Sequence, residues 1–111
     1  MNKTITFEDF TKVDLRVGTI IEVNDFPGVR NPAYQLTIDF GELGIKKSSA
    51  QITTLYSKED LLKKQIVAVV NFPEKQIANF MSESLVLGAV NGKDVILLNP
   101  ENAVKNGSTV S

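Results

Sequence analysis

Apolar and polar residues alternate with a period of two along much of the chain, the repeat of a strand that buries one face. In the longest run Leu15, Val17, Thr19, Ile21 and Val23 fall on one face, and Arg16, Gly18, Ile20 and Glu22 on the other. The pattern predicts a long first strand, and its interior Gly18 is costly unless the strand bends around a small barrel. After a Phe26-Pro27-Gly28 loop, Tyr34, Leu36, Ile38 and Phe40 alternate with Gln35, Thr37 and Asp39, predicting a half-buried second strand that ends in a Gly41 to Gly44 turn. Ile45 to Ile52 reads as a polar third strand. Ser57 and Asp60 stand at capping-box spacing ahead of Leu61, Leu62, Lys63 and Lys64, which predicts a short helix. Gln65 to Phe72 is nearly all apolar and reads as a buried strand stopped by Pro73. Leu85 to Val90 and Val95 to Leu98 flank Asn91-Gly92, a hairpin signal.

Short strands with one helix between the third and the fourth follow the order of the OB-fold. The expected architecture is all-β: a five-stranded Greek-key barrel, one domain over residues 1–111, with terminal extensions. Phe7, Phe10 and Val13 at one end, and Val104 and Val110 at the other, fall outside the five strands. Such apolar outliers either plug the barrel ends or pair with a second subunit.

Composition narrows the function. A chain of 111 residues, 42% of them hydrophobic and 23% charged, has room for one core. Cysteine is absent, so disulfides and thiolate metal sites are excluded. With no signal-peptide core and no membrane-length apolar run, the expected location is the cytoplasm, without membrane insertion. Histidine is absent too, which removes Ser-His and Cys-His nucleophile pairs, imidazole acid–base catalysis and the usual zinc ligand sets. Asp14, Asp39, Glu42, Glu74 and Glu83 show no close metal-ligand repeat. The stretch Gly41 to Ser48 has glycines and a Lys-Ser pair, but the spacing of a phosphate loop is wrong and a strand rather than a helix follows. These absences point to a binding protein without a cofactor rather than an enzyme.

Twelve Lys and Arg against thirteen Asp and Glu leave a net charge of -1, so any RNA contact needs a local patch. Lys46-Lys47 and Lys63-Lys64 are the basic clusters, with Lys75 and Arg16 isolated. Neighbouring strand residues face opposite ways, so only one of Lys46 and Lys47 can lie along a binding face.

Asp14-Leu15-Arg16-Val17-Gly18-Thr19-Ile20 resembles the opening strand of the tRNA-binding-domain family, which also occurs fused to aminoacyl-tRNA synthetases. Val70-Asn71-Phe72-Pro73, Lys75-Gln76-Ile77-Ala78, Ser82-Glu83 and Leu85-Val86-Leu87-Gly88 resemble that family's fourth-strand, loop and fifth-strand block. Ile38-Asp39-Phe40-Gly41 and the long string from Gly44 to Thr53 are similar to its stand-alone, export-associated CsaA-type branch. The resemblance covers essentially the whole chain. It implies an OB-fold homodimer whose terminal segments, with Phe7, Phe10, Val13, Val104 and Val110, complete the interface. It further implies a chaperone-like binder of unfolded or export-bound polypeptides, with the secretion ATPase as a partner, or alternatively a structure-specific tRNA binder. For RNA the candidate residues are Lys46, Lys47 and Lys75 on phosphates, with Ser48, Ser49, Gln51, Asn71, Ser82 and Glu83 completing the site. Where synthetase-linked members often read Ser-x-Gly-Met this chain has Ser82-Glu83-Ser84-Leu85, preceded by the non-basic Asn79-Phe80-Met81. Phe72, Ile77, Phe80 and Met81 thus gather around one loop as a candidate peptide patch, unless Phe72 and Ile77 are core and only Phe80 and Met81 are exposed.

Overall fold

The computed structural model describes residues 3–111. Its elements, in chain order, are α1 (Phe7–Thr11), β1 (Leu15–Asp25), β2 (Tyr34–Asp39), β3 (Ile45–Ala50), α2 (Lys58–Leu61), β4 (Gln65–Val69), β5 (Lys75–Ile77), β6 (Phe80–Ser82), β7 (Leu85–Val86), β8 (Gly88–Asn91), β9 (Asp94–Leu97) and β10 (Thr109–Val110). Strands β3, β2, β1, β4 and β7 lie side by side in that order, each pair antiparallel, and β10 also pairs with β1. Helix α2 sits between the third and fourth strands of this set, so the chain adopts the all-β OB-fold arrangement.

The core is built from alternation where alternation is clean. Leu36, Ile38 and Phe40 are fully buried on one side of β2, joined by Ala50, Ile52, Leu61, Ile66, Ala68 and Leu97. Strand β1 departs from the expected pattern. Gly18 and Ile20 face the core, so Ile21 points to the surface, and the pairing with β2 slips between Ile20 and Glu22, a β-bulge that turns Val23 back to the core side. Ile20 is therefore the core residue, with Val23 packed against the same cluster beyond the bulge. The assignment of Leu15, Val17, Thr19, Ile21 and Val23 to one face is corrected accordingly. Val17 is buried without joining this cluster.

Gly18 has a packing cause. A Cβ there would lie 2.6 Å from Ile38 Cγ2 and 2.7 Å from the Phe40 ring, so the missing side chain lets Ile38 of β2 and Phe40 just after it fill the centre of the barrel.

The short helices start alike. Ser57 Oγ accepts from the Asp60 N–H (3.2 Å) and the Asp60 carboxylate accepts from the Ser57 N–H (3.0 Å), as the sequence predicts for α2. Thr6 and Asp9 make the same reciprocal pair ahead of α1. That helix was not anticipated, although the Thr6-x-x-Asp9 spacing was legible. Two further expectations change. The fourth strand stops at Val69, because the Asn71 side chain is drawn toward the N-terminal segment, accepting from the Asp14 N–H (2.9 Å) and donating to the Lys12 carbonyl (2.7 Å). Residues 75–82, read as loop, form the β5–β6 hairpin, whose turn holds Ala78 at a φ of 54°.

The C-terminal segment is laced to the barrel. Gln65 grips both main-chain groups of Val104, donating to its carbonyl (2.7 Å) and accepting from its N–H (3.1 Å). Thr19 donates to the Asn106 side chain (2.7 Å), and the Gly107 N–H donates to the Val17 carbonyl (2.7 Å). Gly107 has a φ of +89°, and a Cβ there would lie 2.5 Å from the Phe40 carbonyl oxygen. Val110 then pairs with Leu15, so the last residues belong to the main sheet.

Gly18→Ala is expected to lower unfolding free energy by roughly 1–3 kcal/mol, because fully buried Ile38 and Phe40 have no room to yield. Denaturant titration checks this, and an unchanged midpoint would show that the barrel centre can rearrange.

Candidate functional site

The edge of β3 remote from β2 is held to the chain around Ser82-Glu83-Ser84 by a set of short hydrogen bonds. The Glu83 N–H donates to the Lys47 carbonyl (2.8 Å), while its carboxylate accepts from the Lys47 N–H (2.9 Å). Ser82 Oγ accepts from the Ser49 N–H (3.2 Å), and the Ser48 hydroxyl donates to the Ser84 carbonyl (2.9 Å). Ser84 Oγ donates to the Lys47 carbonyl (3.3 Å). The sequence proposes Ser48, Ser82 and Glu83 as RNA contacts, and each has an intramolecular partner here. Ser48 is 0% exposed, so its hydroxyl is spent inside the barrel. Asn71 is likewise engaged, with Asp14 and Lys12.

The lysine doublet divides as strand geometry requires. Lys46 is opposite Ile38 and half-buried on the core side of β3, whereas Lys47 is opposite Thr37 and exposed on the outer side. Lys47 Nζ stands 6.0 Å from the centroid of the Phe80 ring, within cation–π range.

The candidate peptide patch is rearranged. Phe80 is buried in a second apolar cluster with Phe26 and Ala33, its ring edge-to-face with Phe26 at 5.3 Å between centroids. Ile77 packs on that cluster half-buried, while Phe72 is 52% exposed and Met81 is also exposed. Neither sequence-based grouping holds as stated: Phe72 and Met81 are on the surface, and Phe80 anchors the β5–β6 hairpin.

Three clefts run into one another along this side of the barrel. The first, about 180 Å³, is lined by Phe72, Pro73, Lys75, Ser82, Glu83, Ser84 and Leu85. It shares Lys75, Ser82 and Leu85 with a central cleft of about 360 Å³, whose walls include Ser49, Gln51, Ile77, Val86, Val95 and Leu97. The central cleft shares Gln51 and Val95 with a third of about 680 Å³, bounded by Asn31, Pro32, Thr54 and Lys93. The result is a groove open at both ends, with exposed apolar carbon at Phe72 and Leu85 and a cation at Lys75. Ser49, Gln51, Lys75, Ser82 and Glu83 from the RNA set and Phe72 and Ile77 from the peptide set line it together. Lys46, Lys47, Asn71, Phe80 and Met81 do not. The walls at Leu85, Val95 and Leu97 were missed as site residues, since alternation alone reads them as ordinary strand. The apolar outliers of the chain ends lie elsewhere: Phe7 is 77% exposed, Val13 and Val104 are exposed, and Phe10 and Val110 are half-buried.

Residues 15–109 match the family described as "Putative tRNA binding domain". Chaperone CsaA of Bacillus anthracis has a similar solved structure, 54% identical with a TM-score of 0.94, the match covering 98% of this chain and 100% of that one. The CsaA chaperone protein of Picrophilus torridus is 53% identical with a TM-score of 0.91, covering 97% of this chain and 100% of that one. Methionine–tRNA ligase of Thermococcus onnurineus is 36% identical over 106 residues, which span 96% of this chain but 14% of that much longer protein. A match over nearly all of its core makes this chain a CsaA-type member of the tRNA-binding-domain family.

Proposed function

We propose that the protein is a non-enzymatic, homodimeric binder of unfolded or export-bound polypeptides, and that the open groove beside β3 is its polypeptide site. The observation that carries this reading is the composition of the groove wall. Phe72 and Leu85 leave half their surface to solvent in a concave setting, while Ser48, Ser82, Glu83 and Asn71 spend hydrogen bonds on the fold itself. Exposed apolar carbon in a concave wall favours apolar side chains over phosphates. Similarity to two chaperone CsaA structures along nearly the whole chain supports the same reading. The dimer is supported by the exposed Phe7, Val13 and Val104, an apolar set that gains by burial against a second copy. The secretion ATPase is a further partner under this reading, and the cytoplasm its place of work.

Replacing Phe72 and Leu85 together by Ser is expected to raise several-fold the amount of protein needed to suppress aggregation of a denatured client, with unfolding free energy changed by less than about 1 kcal/mol. Phe80→Ser should instead cost roughly 3 kcal/mol of stability, because it empties the second cluster. Undiminished suppression by the Phe72/Leu85 variant would remove the groove from the mechanism. In the same preparation light scattering should return twice the chain mass, and a monomer mass would remove the dimer.

A second reading, tRNA binding, is favoured by the family match and by the Lys75, Ser49 and Gln51 side chains on the groove, which have no hydrogen-bond partner among the described residues. Under it Lys47→Ala should weaken tRNA binding more than Lys46→Ala, because Lys47 stands on the outer side of β3 beside the groove wall. The slope of log affinity against log salt should fall by about 0.9 for the lost phosphate contact. Equal, negligible losses in filter-binding titrations would discard this reading.

A further inference from the structure

Hydrogen-bond parity identifies the free edge of β3. Along an antiparallel strand the main-chain groups of successive residues point alternately to one neighbour and to the other. The N–H and C=O of Lys47 both turn to Glu83, and the Ser49 N–H turns to Ser82, so residues 47 and 49 face away from β2, and Gln51 follows directly after the last residue of β3. At Lys47 this edge is filled. Beyond the Ser49 N–H it is not: among the described residues no protein group bonds to the Ser49 carbonyl, the Gln51 N–H or the Gln51 carbonyl. The Leu97 N–H donates to the Tyr56 hydroxyl (3.0 Å), so Leu97 and Val95 likewise turn their main chain away from β8. Gln51, Val95 and Leu97 all line the central cleft of about 360 Å³.

A lone unpaired main-chain group at a surface is satisfied by water. Here an acceptor, a donor and an acceptor follow one another along a single strand edge, above apolar walls at Ile52, Val86, Val95 and Leu97. An extended main chain presents the complementary series at the same spacing, and its alternate side chains can reach the apolar walls. Because the cleft opens at both ends, a chain can pass through it without presenting a terminus.

We propose that the groove takes an extended polypeptide as an added strand on the Ser49–Gln51 edge of β3, recognising main chain first and side chains second. This rests on the polypeptide reading above. It also gives that reading a chemical basis for sequence tolerance, since every non-proline residue carries the same N–H and C=O.

The test uses the full chain and a fluorescein-labelled peptide of alternating valine and lysine, together with versions N-methylated at one position each. Methylation at alternate positions is expected to weaken binding about tenfold, and at intervening positions less than about twofold, for either strand direction. The Gln51 amide should exchange about tenfold more slowly with deuterium when the unmodified peptide is bound. Binding that is indifferent to the methylated position, with no protection of Gln51, would overturn strand addition while leaving the polypeptide reading intact. An unmodified peptide that does not bind would sink both. Protection of Gln51 by an oligoribonucleotide but not by the peptide would also overturn the proposal, and would pass the edge to nucleic acid.

Discussion

The barrel depends on the tie between β3 and the Ser82-Glu83-Ser84 segment. In hydrogen-bonding terms the main sheet is open, with β3 at one limit and β7 at the other. Closure is achieved largely by side chains: three serine hydroxyls, a carboxylate and one main-chain bond reach across. Ser48 shows why the arrangement is all-or-none. Its hydroxyl is enclosed in the core, and without the Ser84 carbonyl it would be a buried polar group with no partner, a penalty of about 1–3 kcal/mol. Because the tie takes up main-chain groups of Lys47 and Ser49 and ends there, the strand edge beyond it is left open, and the groove begins where closure stops.

The groove's far wall has a different foundation. Among the described residues the β5–β6 hairpin pairs as strands only with itself, and besides the Ser82 bond to Ser49 its attachment relies on Phe80 against Phe26 and Ala33, with Lys47 above the same ring. Burial of an aromatic ring thus fixes a wall that its neighbours Lys75, Ile77 and Ser82 present to the groove. A loop with no groove role at Phe26 thereby sets the shape of a surface it does not line.

Much of the fold was legible because period-two alternation and capping geometry act locally. Leu36, Ile38 and Phe40 are core as their spacing requires, and Ser57 with Asp60 opens α2. What was not legible has non-local causes. The bulge that returns Val23 to the core side comes from a register slip against β2, and no residue of β1 announces it. The β5–β6 turn places alanine where glycine or asparagine would have been the signal, with Ala78 held left-handed by the hairpin around it. Within the candidate site, residue chemistry was visible and engagement was not. Serine, glutamate and asparagine look alike in a sequence whether they await a ligand or hold two strands together, and Ser48, Glu83 and Asn71 do the latter. Phe80 and Phe72 differ only in which of them finds Phe26.

The pairing of Leu15 with Val110 joins residues almost the whole chain apart, and Gln65 and Val17 bind the segment that leads there. Contacts of such long separation are slow to form and come late. The first strand must therefore wait, with the edge at Leu15 and Arg16 exposed, until residues 109–110 are available to pair. The main sheet is complete only once Thr109 and Val110 have reached β1, and loss of the segment beyond residue 104 would leave the edge of β1 at Leu15 and Arg16 without that partner.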